Sequence, residues 1–124
     1  MVRVVLQRGA ADCGTAALAT LLSWSDHDYE TVAAKAPRGG QQGLRTRELV
    51  ATARRLGLTL TAVRAYDLDQ DAGILRVRSH DHHRDGHWVA VRYGLLWDPR
   101  TGYAMPWRQY AAKYRARFGM LARL

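Results

Sequence analysis

The sequence predicts an α+β domain in which an N-terminal helical half packs on a C-terminal antiparallel β-sheet. Three observations lead there. Apolar residues between positions 14 and 56 recur at helical spacing, with capping and terminating residues between the runs. From position 58 onward the chain turns to short alternating or β-rich runs separated by turn residues. A length of 124 residues, 48% of them hydrophobic, supports one core but not two.

The first helix is expected over 14–23, where Thr15 to Leu22 are small or apolar on nearly every side and therefore buried. Asp26 or Asp28 caps a second helix through Tyr29, Val32, Ala33 and Ala36, and Pro37 ends it. Residues 38–43 are glycine-rich, and Gly39-Gly40 is read as a flexible loop rather than a self-processing site. Thr46 starts a third helix that carries Leu49, Val50, Ala53 and Leu56 on one face and stops at Gly57. The run 58–63 alternates with period two and predicts a strand. Residues 67–73 are turn-like, and a second strand follows over 74–78. A polar loop is expected over 79–86 and a third strand over 87–92. Tyr93-Gly94 makes a tight turn, 95–97 a short strand and 98–102 another turn. Pro106 opens a last helix through about Tyr114, and 119–124 closes the sheet as an edge strand.

The formal charge is +8, and only Lys35 and Lys113 among the cations are lysines. An arginine surplus favours acidic partners. The arginines are scattered, however, and form no block of the kind that binds nucleic acid, so no nucleic-acid partner is expected. No apolar run is long enough for a membrane span. The N-terminal apolar stretch is too short for a signal-peptide core, which makes the cytoplasm the expected location. With Cys13 as the one cysteine, no internal disulfide forms.

That cysteine lies in Gln7-Arg8-Gly9-Ala10-Ala11-Asp12-Cys13-Gly14-Thr15-Ala16-Ala17-Leu18, where a loop of small residues becomes an apolar helix. A thiol at a helix start faces unpaired backbone N–H groups, which favour its ionised, nucleophilic form. Downstream stand His87, opening His87-Trp88-Val89-Ala90-Val91, and Asp98 before Pro99. A lone cysteine with a distant histidine and aspartate is the pattern of a nucleophile, its base and the group that orients the base.

The ordered set of Gln7, Asp12-Cys13-Gly14-Thr15-Ala16-Ala17-Leu18, a glycine-containing loop before a helix ending in Leu56-Gly57-Leu58, His87 with its apolar strand, and Asp98-Pro99 with Gly102 resembles the C39 family of papain-like peptidases. These are bacteriocin-processing, or double-glycine leader, peptidases, and the likeness spans almost the whole chain. It implies a papain-like fold with the site between the helical half and the sheet. Cys13 would be the nucleophile, His87 the general base and Asp98 the residue that orients it. Gln7 would donate to the oxyanion beside the backbone N–H of Cys13, a contribution often worth about two to three orders of magnitude in rate. Asp12 and Gly14 beside Cys13, Gly86 and Trp88 beside His87, and Gly43 of the glycine-containing loop are assigned to substrate binding. The substrate would be a leader peptide cut after a Gly-Gly pair, with its apolar helical face docked on an outer groove.

Two departures stand out. Family members are commonly N-terminal domains of transporters, whereas this sequence carries neither membrane segments nor a nucleotide-binding motif, so a stand-alone peptidase working alone or beside a separate transporter is expected. Trp24-Ser25-Asp26 stands where members usually carry aromatic residues and a glycine.

The same triad also serves amidases, deamidases, transglutaminases and toxin-type hydrolases, and a leader-binding module without activity is the rival outside enzymes. The chemistry calls for no cofactor and no metal. The histidine- and aspartate-rich stretch from His80 to His87 has Zn²⁺- or Ni²⁺-binding residue types but no recognised ligand spacing, and reads as a solvated loop. Trp24, Trp88, Trp97 and Trp107 are assigned to the core or the substrate groove.

Overall fold

The computed structural model describes residues 4–9, 11–22, 29–40, 43–79 and 83–124, with backbone alone at 79 and 83–85. Helices α1 (Cys13–Leu21), α2 (Tyr29–Lys35) and α3 (Thr46–Arg55) come first. Strands β1 (Thr61–Val63), β2 (Ala72–Ser79), β3 (His83–Arg92), β4 (Leu95–Trp97) and β5 (Ala104–Pro106) follow, then α4 (Trp107–Tyr114) and β6 (Arg117–Arg123). All six strands form one sheet in the order β1-β6-β2-β3-β4-β5, with every pairing antiparallel.

Alternation along the strands divides the core in two. Ile74, Trp88, Ala90 and Ala122 face one way and pack with Leu18, Leu21, Leu49 and Ala53 of α1 and α3. Leu75, Val77, Val89, Val91 and Leu121 face the other way and meet Tyr110 and Tyr114 of α4. Helix α1 is buried along its whole length, as its uniformly small and apolar sequence requires. Tyr93 and Gly94 both adopt positive φ, 52° and 83°, which makes the tight connection between β3 and β4 that a two-residue hairpin needs.

Several expectations need correction. The C-terminal strand is not an edge, because β6 lies between β1 and β2. Only Thr61–Val63 of the alternating run 58–63 pairs as strand. The polar loop expected over 79–86 is largely strand: β3 begins at His83, and Ser79 pairs with His83, so the β2–β3 ladder runs past its apolar stretch. Strand β5 was not anticipated; three residues paired to β4 carry no period of their own. Gly39-Gly40 belongs to a 3₁₀ turn, Pro37–Gly40, and not to a loose loop. There the Gly40 carbonyl accepts the Thr15 hydroxyl at 2.8 Å, and a Cβ at Gly40 would lie 2.6 Å from that oxygen. Asp26, Asp28 and Trp24 lie outside the described residues, as do His80 to His82.

Candidate active site

Cys13 is the first residue of α1, and the segment before it is held by Asp12. The Asp12 carboxylate accepts the backbone N–H groups of Arg8 at 2.7 Å and Gly9 at 2.9 Å, together with the Tyr29 hydroxyl. Burial opposes ionisation of Asp12, but the Tyr29 and backbone donors outweigh it and hold its carboxyl below the usual range. Burial, reinforced by this bond to Asp12, pushes the Tyr29 phenol up to about 12. Asp12 thus shapes the loop that leads to the sulfur, and it also lines a pocket with Arg8, Gly9, Tyr29 and Glu30.

Gly14 explains how α1 comes so close to the sheet. A Cβ there would lie 3.1 Å from Trp88 and 3.3 Å from Leu44. The Trp88 indole N–H donates to the Leu44 carbonyl at 2.9 Å, which ties β3 to the residues just before α3. The Trp88 backbone N–H points at the Cys13 Sγ, 3.5 Å away.

His87 lies opposite Val77 in the β2–β3 ladder and so shares the sheet face covered by α4. Its Nε2 meets Asp98 Oδ1 at 2.7 Å. A carboxylate acceptor there requires the Nε2–H tautomer, leaving Nδ1 as the nitrogen for the sulfur. Asp98 follows β4 directly, and its Oδ1 also accepts the Arg100 backbone N–H at 2.9 Å. Its Oδ2 accepts the Tyr110 hydroxyl at 2.7 Å. Cys13, His87 and Asp98 keep 8%, 2% and 1% exposure, so the sulfur is the member of the cluster most open to a ligand.

The electrostatics follow from these bonds. Burial pushes the His87 imidazole down, but the hydrogen bond to Asp98, with Cys13 adding in the same direction, raises its pKa from 6.5 to about 9. Burial likewise disfavours the Asp98 carboxylate, and the His87 hydrogen bond still holds its pKa below 3.8. Both shifts describe one ion pair. A raised histidine contributes stability that is fully present below about pH 6.5 and lost as pH rises through about 9. A depressed aspartate contributes stability above about pH 3.8 and loses it as pH falls through its folded value. The melting temperature is therefore expected to fall by several degrees between pH 7 and 10, in keeping with a few kcal/mol on a domain of this size. His87→Gln removes that fall; calorimetry showing the same fall in both proteins would contradict this assignment of the ion pair.

Gln7 is brought to the site by its backbone N–H, which donates to the Pro99 carbonyl at 2.8 Å, next to Asp98. Its side-chain Nε2 donates to the Gly9 carbonyl at 2.7 Å, and its Oε1 is buried with no hydrogen-bond partner among the described residues. Gly86 has φ +94°, and a Cβ there would lie 2.5 Å from the Arg76 guanidinium, which stacks on the Trp88 ring at 4.9 Å. Among the described residues nothing lies within 4 Å of a Cβ at Gly43, and its carbonyl accepts the Arg38 guanidinium at 3.0 Å. Of the flanking residues assigned to a ligand, Asp12 and Gly14 serve the loop and the helix–sheet contact. Tyr110 carried no role in the sequence reading. Its only trace there is its place about one turn ahead of the end of a helix whose other inward aromatic is Tyr114.

The sequence model of the peptidase C39 family matches residues 1–92. The peptidase domain of Streptococcus ComA, a bi-functional ABC transporter involved in a quorum sensing pathway, has a similar structure. The TM-score is 0.63 over 98% of each chain, at 18% sequence identity, a likeness of fold. No curated protein sequence matches the chain.

Proposed function

Because the chain belongs to the peptidase C39 family, we propose that it is a cysteine peptidase that cuts a leader peptide after small residues. The observation that carries this reading is the meeting of one sulfur, one imidazole and one carboxylate from α1, β3 and the turn after β4. Asp98 keeps His87 oriented and stabilises the imidazolium that forms when His87 takes the thiol proton, which it later delivers to the leaving amine. The thiolate attacks the scissile carbonyl to give a thioester, and water then releases the acid and restores the thiol. The backbone N–H of Cys13 faces the developing oxyanion. Gln7 Nε2 has two hydrogens; one goes to Gly9 and the second is assigned to the same oxygen.

Small residues in the substrate, glycine above all, are proposed from the family membership. A groove of about 610 Å³ lies between α3 and β1, lined by Val50, Leu60, Ala62 and Met120 together with Arg47 and Arg54. This is the proposed seat of the leader's apolar helical face. A separate transporter is the proposed partner that exports the product. Among the described residues no helix is long and apolar enough to cross a membrane.

The test is incubation with double-glycine leader peptides, read by mass spectrometry. Cleavage directly after the Gly-Gly pair is expected; an intact leader bound without turnover would favour a docking module instead. Val50→Asp places a charge in the groove and is expected to raise KM about 10- to 100-fold, the loss of roughly one buried aliphatic contact. Its kcat and the alkylation rate of Cys13 stay as in the wild type. An unchanged KM would remove the groove from the reading.

A further inference from the structure

Resting on the peptidase reading above, we propose that Tyr110 is a positioning residue of the site, a fourth member that holds Asp98 in place for His87. Four observations carry the inference. The Tyr110 hydroxyl donates to Asp98 Oδ2 at 2.7 Å, the oxygen that His87 does not use. Both side chains are almost wholly buried, at 1% exposure each, so water does not substitute for the bond. Each carboxylate oxygen then has a donor: His87 and the Arg100 N–H on one, Tyr110 on the other. With both oxygens engaged the carboxylate cannot rotate, and Oδ1 stays aimed at the imidazole.

The fourth observation is how Tyr110 itself is aimed. Helix α4 is anchored at its start by Asp69, which accepts the Trp107 indole N–H at 2.8 Å and the Arg108 guanidinium at 3.2 and 3.1 Å. The Trp107 backbone N–H donates to the Gly94 carbonyl at 2.9 Å, next to β4. Within the helix Tyr110 packs on Tyr114, with ring centroids 4.7 Å apart. Helix α4 therefore presents the hydroxyl from the sheet face opposite the one that α1 covers. The residue lies outside the span 1–92 that the family model matches.

A hydroxyl donor stabilises the ionised carboxylate. Removing it makes Asp98 easier to protonate, so His87 loses its counter-charge, and Cys13 its ionised partner, at a higher pH than before. The titratable and charged groups facing the pair are His87 from β3, Cys13 from α1, Arg100 from the turn and Tyr114 from α4.

The experiment compares wild type, Tyr110→Phe and Tyr114→Phe by two pH profiles: iodoacetamide alkylation of Cys13, and kcat/KM for leader cleavage. Tyr110→Phe is expected to move the acidic limb of both profiles up by about one pH unit, with KM little changed, while Tyr114→Phe leaves the limb where it was. Replacing Tyr110 with 3-fluorotyrosine keeps the shape and strengthens the donor, so the limb moves down. It decides the matter if Tyr110→Phe does not fold. A limb at the wild-type pH in the fluorinated protein, or in a folded Tyr110→Phe that merely loses amplitude, overturns the proposal. Absence of cleavage by the wild type would sink the peptidase reading alone, because the alkylation limb is read without any peptide.

Discussion

Cys13→Ala is expected to abolish leader cleavage, with His87→Ala nearly as inactive and Asp98→Ala milder. The order follows from what each removes. Without the sulfur there is no thioester route, and the surrounding donors can only hold a peptide. Without the imidazole the thiol has no proton acceptor at Nδ1, and the Asp98 carboxylate is left buried against Tyr110 and Arg100 alone. Loss of Asp98 leaves the base in place but free to turn and to lose its charge at lower pH. Removing one member of such a unit typically costs several orders of magnitude, and losses within the unit do not add. The readout is single-turnover cleavage by mass spectrometry, with folding checked by circular dichroism. Turnover by Cys13→Ala equal to wild type would end the thiol mechanism.

Gly73→Ala is expected to be the most destabilising small change in the sheet. A Cβ on Gly73 would lie 2.0 Å from the Ala122 carbonyl oxygen and 2.9 Å from its carbonyl carbon. Both are backbone atoms of β6, paired to β2 through Gly73↔Arg123 and Ile74↔Ala122, so no side chain can swing away. The two strands must part, and Leu121 and Ala122 on opposite faces leave both halves of the core together. A loss of about 3 kcal/mol or more is expected, beyond ordinary overpacking, with a melting temperature lower by about 10 °C or more. Gly43→Ala is the control, because nothing among the described residues lies within 4 Å of its Cβ position. A Gly73→Ala protein within 1 kcal/mol of wild type in urea unfolding would mean that the β2–β6 contact yields more easily than backbone allows.

The helical half was legible because its signals are local. Pro37 after α2, Gly57 after α3 and the uniformly small α1 each act within a turn of where they stand. The sheet was legible strand by strand but not in its order. Nothing in Gly119-Met120-Leu121-Ala122 says that its partners are β1, some 60 residues earlier, and β2. The extension of β3 over residues 83–86 was hidden because polar residues and Gly86 look like a loop when the ladder projects past the core. At the site, the residue types of Cys13, His87 and Asp98 stood out by chemistry. Gln7 was singled out by its offset from Cys13, but the bond from its amide to Gly9 depends on a rotamer that spacing does not encode. Tyr110 was missed because a tyrosine on an inward helix face reads as packing, and its partner is set by how α4 docks.

The placement of β6 also bears on how the molecule is made. The strand that is last in chain order sits second in the sheet and joins β1 to the remainder. While the ribosome still holds residues 117–123, β1 has no neighbour, and Leu75 and Ile74 on the adjoining strand lie half uncovered. Joining β6 to β1 and β2 thus takes long-range closure of the kind that slows folding. The sheet that carries His87 is therefore complete only after β6 has joined it.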